Sequence, residues 1–136
     1  MSYLDELFSL DGKVAVAVGA AGVLGGAMAE ALGRAGARVA ILDVDGDAAS
    51  ARAGAIAGAA GVDAFGLGVD ATREPELKDA LDRVVTEWGR VDVLLNAPGI
   101  NSATPVLEIE RDEWDRILAV NLTSFFLASR VFGGRM

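Results

Sequence analysis

The feature that most constrains this chain is Lys13-Val-Ala-Val-Ala-Val-Gly19-Ala-Ala-Gly22-Val-Leu-Gly25-Gly26, an apolar run that passes straight into a glycine-rich turn and then into helical periodicity. A short apolar run of this kind predicts a strand buried on both faces, followed by a crossover helix. Glycines in the turn remove Cβ atoms that would hold a ligand away from the backbone. The helix behind them aims its free N–H groups and positive dipole end at the same place, which suits a pyrophosphate. Asp43 closes a second apolar run, Arg38-Val-Ala-Ile-Leu-Asp43, twenty-four residues after Gly19. That is near the spacing at which an acid meets the ribose hydroxyls of an adenosine. Together they predict a dinucleotide site.

The alternation of strand and helix patterns continues, and predicts an α/β fold: a Rossmann-like parallel sheet with helices on both faces, four strands being legible. The strands are expected at 14–18, 39–42, about 64–69 and 91–95. The first crossover helix, about 23–35, places Leu24, Ala27, Met28, Ala31, Leu32 and Ala35 on one stripe, with Gly36 as its C-cap. The second, about 46–60, is rich in Ala and Gly, each glycine costing about 1 kcal/mol relative to alanine. The third, about 74–88, repeats Leu77, Ala80, Leu81, Val84, Val85 and Trp88, has Pro75 in its first turn and stops at Gly89. A fourth is expected from about 111 to 132 with Trp114, Ile117, Leu118, Asn121 and Phe125 on one stripe. No repeat, linker or composition shift divides residues 1–136, which are expected to form a single partial dinucleotide-binding domain.

Composition narrows the chemistry. With 12 basic and 20 acidic side chains the formal charge is −8, which disfavours nucleic acid and anionic membrane surfaces, and no basic patch offsets it. The chain has no Cys and no His, so thiolate chemistry, imidazole acid–base work and the usual zinc sets are excluded, and no metal site is expected. No run reaches the roughly 18 apolar residues of a membrane span, and the N-terminus lacks a basic region ahead of an apolar one. A cytoplasmic location is the expectation.

Each candidate also has a plainer reading. Asp43 could be a solvated strand end. However, no Lys or Arg lies in the turn or at 44–47 to neutralise a 2′-phosphate, so NAD is favoured over NADP. Asp70, in Gly68-Val-Asp70-Ala-Thr72, ends the third strand at the carboxyl edge where open α/β sheets bind ligands, and helix capping ahead of Glu74 accounts for it equally well. Asn96-Ala-Pro-Gly99 ends the fourth strand at that edge and could be only a turn. Asn121 lies on an apolar stripe, where a buried amide needs hydrogen-bond partners. Trp88 and Trp114 read as core or helix-packing residues.

In order and spacing these motifs resemble the first half of a short-chain dehydrogenase/reductase. That family's Thr-Gly-x-x-x-Gly-x-Gly turn is similar to Val18-Gly19-Ala-Ala-Gly22-Val23-Leu24-Gly25, its Asn-Asn-Ala-Gly to Asn96-Ala97-Pro98-Gly99, and its adenine-holding aspartate-valine pair to Asp70-Ala71. The departures are Val18 for the threonine and Val23 for the middle glycine. Glycines at 19, 22 and 25 also match the spacing of the extended, epimerase-like branch, while Asn96-Ala-Pro-Gly99 and Val120-Asn121-Leu122 resemble the single-domain dehydrogenases more closely.

The resemblance implies NAD binding by Gly19, Gly22, Val23, Leu24, Gly25, Asp43, Asp70, Ala71, Asn96, Ala97 and Gly99. It also implies a part for Asn121 in the proton relay, a small-molecule alcohol or ketone substrate, with sugar acids and polyols suggested by the lead-in and the turn, and a homo-oligomer. The serine and Tyr-x-x-x-Lys that carry the family's chemistry are not among these residues: the one tyrosine is Tyr3, and the two lysines are Lys13 and Lys78. The 136-residue chain alone is therefore expected not to turn over substrate, and its fourth strand, rich in Val and Leu, is expected to promote self-association. The readings that compete with half of an oxidoreductase are an inactive NAD-binding module and a subunit that pairs with another chain.

Overall fold

In the computed structural model, which describes residues 1–136, strands β1 (Val14–Val18), β2 (Arg38–Asp43), β3 (Ala64–Gly68) and β4 (Val93–Asn96) pair in parallel. Their spatial order is β3-β2-β1-β4. β1 is central and wholly buried, aligned from Val14↔Arg38 to Val18↔Leu42 on one side and from Ala15↔Val93 to Val18↔Asn96 on the other. Successive parallel strands need crossovers, and these are α2 (Val23–Arg34), α3 (Gly46–Ala60) and α4 (Glu74–Trp88). The short α1 (Tyr3–Phe8) precedes the sheet. After β4 the chain forms α5 (Arg111–Leu118), a π-helical turn at Ala119–Thr123, and α6 (Ser124–Gly133).

Because side chains alternate along a strand, β1 and β2 supply two different cores. Val14, Val16, Val18, Ala40 and Leu42 face one way and pack with Leu77, Ala80 and Val84 of α4 and Ala128, Val131 and Phe132 of α6. Ala17, Val39 and Ile41 face the other way and pack with Ala29 of α2 and Ala49, Ala53 and Ile56 of α3. Helices therefore cover both faces, as the alternating patterns predict.

Several expectations need correction. The inward face of α2 is not the stripe of larger apolar residues but the small-residue face Gly25, Gly26, Ala29 and Gly33, while Leu24, Ala27, Met28 and Ala31 are exposed. The physical reason is close approach: a Cβ on Gly25 would lie 3.0 Å from Ala20 and 3.1 Å from Ala97, and one on Gly33 would lie 2.9 Å from Ile56. The stripe expected on the fourth helix also fails as a core. Trp114 is 51% exposed and Leu118 is exposed, and the helix is interrupted by the π turn, with the buried face beginning only at Ser124. Trp88 does pack, its ring 4.6 Å from that of Phe65. Helix α1 lies outside the sequence-based expectations, although its signal is present: Ser2 and Asp5 form a reciprocal capping box. β4 begins two residues later than expected, and Val91 is buried ahead of it.

Candidate cofactor-binding site

The carboxyl ends of all four strands open onto one cleft of about 460 Å³. It is lined by Val18, Gly19, Ala21 and Gly22 from the turn, Asp43 to Asp45 and Ala48 from the β2–α3 junction, Val69 to Thr72 after β3, Ala97 to Ile100 after β4, and Val120 and Ser124. Parallel strands deliver their carboxyl ends to the same edge, so this convergence follows from the topology.

The turn is built by exclusion. Gly19 has φ +69°, and a Cβ there would lie 2.5 Å from the Cα and N of Pro98, so both conformation and space require glycine. The same contact seats the loop after β4 against the turn. Gly22 is the N-cap of α2, and a Cβ there would meet nothing within 4 Å. It thus lines the cleft with open space over its backbone. No side chain caps α2, in contrast to α3, where Asp45 accepts from the Ala48 N–H at 2.9 Å. The first N–H groups of α2 are left for a ligand or solvent. Gly25 lies behind the turn and serves packing against Ala20 and Ala97.

Asp43, at the end of β2, accepts from the Ala21 N–H through Oδ2 and from the Asp45 N–H through Oδ1, both at 3.1 Å. The carboxylate is therefore fixed beside the turn with acceptor capacity remaining, since each oxygen can take more than one donor. Asp70 does not cap α4, whose N-cap is Arg73 without a side-chain bond. Its Oδ1 instead accepts from the Thr72 N–H at 2.9 Å and from the Thr72 hydroxyl at 2.6 Å, while Glu76 reaches back to accept from the Asp70 N–H at 2.7 Å. These bonds hold Asp70, Ala71 and Thr72 along one wall.

The remaining predicted residues lie at the margins. Val23 is 88% exposed and Leu24 75% exposed, and neither lines the cleft. Asn96 donates to Ser129 Oγ at 3.3 Å, and its Oδ1 is buried without a partner. Asn121 is exposed rather than buried, and its amide is satisfied in another way. Its Oδ1 accepts from the Ile100 N–H at 2.7 Å and its Nδ2 donates to the Ile100 carbonyl at 2.8 Å, so it brackets the loop after β4 as a strand neighbour would. It sits in the π turn, next to which the Ser124 hydroxyl donates to the Val120 carbonyl at 2.5 Å. A π turn shifts the helical register by one residue and thereby brings Val120 and Ser124 to the cleft wall.

Sequence reasoning misses Arg52. From α3 it reaches the back of the glycine turn, donating through Nε and Nη2 to the Ala21 carbonyl at 3.4 and 3.3 Å and through Nη2 to the Gly22 carbonyl at 3.3 Å. Nothing in an Ala/Gly-rich segment marks one arginine for such a role. Pro98 reads in the sequence as a turn residue, not as the support of Gly19.

Comparison with known proteins agrees with this geometry. A family model described as short chain dehydrogenase matches residues 13–136. A D-threitol dehydrogenase of Mycolicibacterium smegmatis is 38% identical over 133 residues, covering 98% of this chain and 51% of that protein. The crystal structure of a short-chain type dehydrogenase/reductase from Mycobacterium marinum superposes with a TM-score of 0.91 at 34% identity, covering 99% of this chain and 54% of the other. That of NAD+-bound xylitol dehydrogenase gives a TM-score of 0.87 at 31% identity, covering 93% and 48%. The chain spans about half the length of the curated relatives it matches.

Proposed function

The chain belongs to the short-chain dehydrogenase family, and from that premise we propose that residues 1–136 are the NAD-binding part, a single partial dinucleotide-binding domain, of an oxidoreductase acting on a secondary alcohol or ketone. The substrate class proposed is a polyol or sugar acid, the polyol being supported by the similar proteins named for threitol and xylitol.

The observation that carries the cofactor reading is the Asp43 carboxylate, fixed beside the turn by two backbone N–H groups, with no basic residue at 44–47. A fixed anion there accepts hydrogen bonds from ribose hydroxyls and repels a 2′-phosphate. The open backbone at Gly22 and the uncapped start of α2 suit a pyrophosphate, with Gly19 and Gly25 shaping the turn and Val23 and Leu24 at its mouth. Asp70 and Ala71 would wall the adenine end, and Ala97 and Gly99 the opposite end, with Asn96 at its margin bonded to Ser129. When bound, NAD supplies a two-electron hydride acceptor.

Asn121 would act through Ile100. By holding both backbone groups of that residue it fixes the loop that would carry substrate and any relay water. None of the 136 residues is a tyrosine or lysine placed to exchange a proton in the cleft, so this chain by itself is proposed to be inactive in turnover. Pairing with further polypeptide, within a homo-oligomer in the cytoplasm, is part of the same proposal. What supports pairing is β4 at the sheet edge, together with exposed Trp114, Leu118, Leu122 and Phe126.

The test is Asp43→Asn, titrated with NADH and NADPH. The unchanged chain should favour NADH, and the variant should bind NADH about tenfold more weakly and lose the discrimination. An unaltered NADH to NADPH ratio would refute the role of Asp43.

A further inference from the structure

Arg52 is the one arginine of this acidic chain that donates to two backbone carbonyls. Like Arg116 and Arg135 it forms no ion pair, and its hydrogen bonds all go to the glycine turn, 30 and 31 residues away in sequence. A guanidinium is suited to this, since its planar fork can hold neighbouring acceptors at once while its charge strengthens each bond. The turn also makes room for it: a Cβ on Gly26 would lie 2.5 Å from Arg52 Nε and 2.7 Å from its Cζ.

The peptide planes give the consequence. The Ala21 carbonyl shares a plane with the Gly22 N–H, and the Gly22 carbonyl with the Val23 N–H. The structure contains no cis peptide, so in each plane the N–H points opposite to the carbonyl. The Gly22 carbonyl also accepts from the Gly26 N–H at 3.0 Å, so α2 and Arg52 set that plane together, whereas the Ala21 carbonyl is held by Arg52. With both carbonyls drawn toward α3, the Gly22 and Val23 N–H groups turn away from α3, at the place where Gly22 lines the cleft.

We propose that Arg52 is a positioning residue for the glycine turn: seated over Gly26, it fixes two peptide planes, the second together with α2, so that the Gly22 and Val23 N–H groups are presented to a dinucleotide pyrophosphate. This rests on the cofactor reading above. It assigns Gly26 a role beyond helix packing, as the gap that admits the guanidinium.

The two residues allow a closed test on the 136-residue chain. Arg52→Ala removes the guanidinium, and Gly26→Ala displaces it while leaving its charge, because the obstructing atoms belong to a flexible side chain. NADH and NADPH affinities and amide hydrogen exchange across residues 21–25 are measured for the unchanged chain, both single variants, the double variant and Arg52→Lys. Each single variant should bind both dinucleotides about tenfold more weakly and exchange the Ala21 amide, which Asp43 protects, faster. The double variant should be no worse than either single one, because the second change then has nothing left to remove. Arg52→Lys, with a point charge and no fork, should fall between.

Unchanged binding and exchange in the single variants would overturn the proposal, as would additive losses in the double variant. A loss confined to NADPH would also overturn it, since the guanidinium would then serve a 2′-phosphate. If the unchanged chain bound neither dinucleotide, the cofactor reading would fail, and the exchange data alone would decide whether Arg52 holds the turn.

Discussion

On one face of the sheet Val14, Val16, Val18 and Leu42 meet Leu77, Val84, Val131 and Phe132; on the other, Ala17, Val39 and Ile41 meet Ala29, Ala49, Ala53 and Ile56. The first face is filled by large side chains at ordinary helix-to-sheet spacing. The second is closed by taking atoms away, so that helix backbones lie against strands and against each other. A Cβ on Gly66 of β3 would lie 2.2 Å from the backbone carbonyl carbon of Ala49 in α3, and one on Gly46 would lie 3.2 Å from Gly68. The cleft runs along the strand ends of both sides, but its turn and its acid lie on the small-residue side: the turn opens α2, Asp43 ends β2 beside the start of α3, and Arg52 holds the back of the turn from α3. Burying apolar area stabilises the large-residue face, whereas the small-residue face gives up some of that area to bring backbone close to where a ligand would lie.

The comparison breaks most sharply at Gly66. Gly66→Ala places a methyl against backbone that cannot rotate aside, and should cost about 3 kcal/mol as read from the urea midpoint. A loss below about 0.5 kcal/mol would mean that α3 is not held against β3 as described.

A smaller effect tests the seam between the faces, where β1 meets the approach to β4. Asp92 accepts from the Arg90 guanidinium at 2.6 and 2.8 Å and from the Val14 N–H at 2.9 Å. The Arg90 hydrogen bond, assisted by that of Val14 and opposed by partial burial, holds the Asp92 carboxyl below its usual 3.8. A carboxyl whose folded value is depressed contributes fully above its unfolded value and loses that contribution as pH falls through the folded one. The stability gap between the unchanged chain and Asp92→Asn should therefore be widest near neutrality and close as the pH falls below about 4. A gap independent of pH would show that the charge of Asp92 is not what ties Val14.

The smallest effect sharpens the contrast within α3 itself. A Cβ on Gly54 would meet nothing within 4 Å, so Gly54→Ala should stabilise the chain by about 0.5–1 kcal/mol. A loss on thermal or urea unfolding would mean that close packing extends round the whole helix.

The strands and crossovers are legible because their signals are local: Val14 to Val18 is a short apolar run suited to burial on both faces, and Leu77, Val84 and Trp88 recur at helical spacing ahead of Gly89. The inward face of α2 is not legible from apolarity, because Gly25, Gly26 and Gly33 carry no side chain for a periodicity to detect, and proximity rather than hydrophobicity selects them. The π turn escapes for another reason. It coincides with long-range bonds from Asn121 to Ile100, which no helical pattern encodes. In the site, Gly19, Gly22, Asp43, Asp70, Ala71, Ala97 and Gly99 line one cleft as the motifs suggest, since strand ends converge by topology. Arg52 and Pro98 enter only once α3 and the β4 loop are folded against the turn.

The most direct test of the central claim is a calorimetric titration of NADH, and separately of NADPH, into the 136-residue chain. A single saturable site that holds NADH more tightly than NADPH is the predicted result. Absence of binding by both, or a tighter hold on NADPH, would contradict the account of the glycine turn and Asp43 as an NAD site.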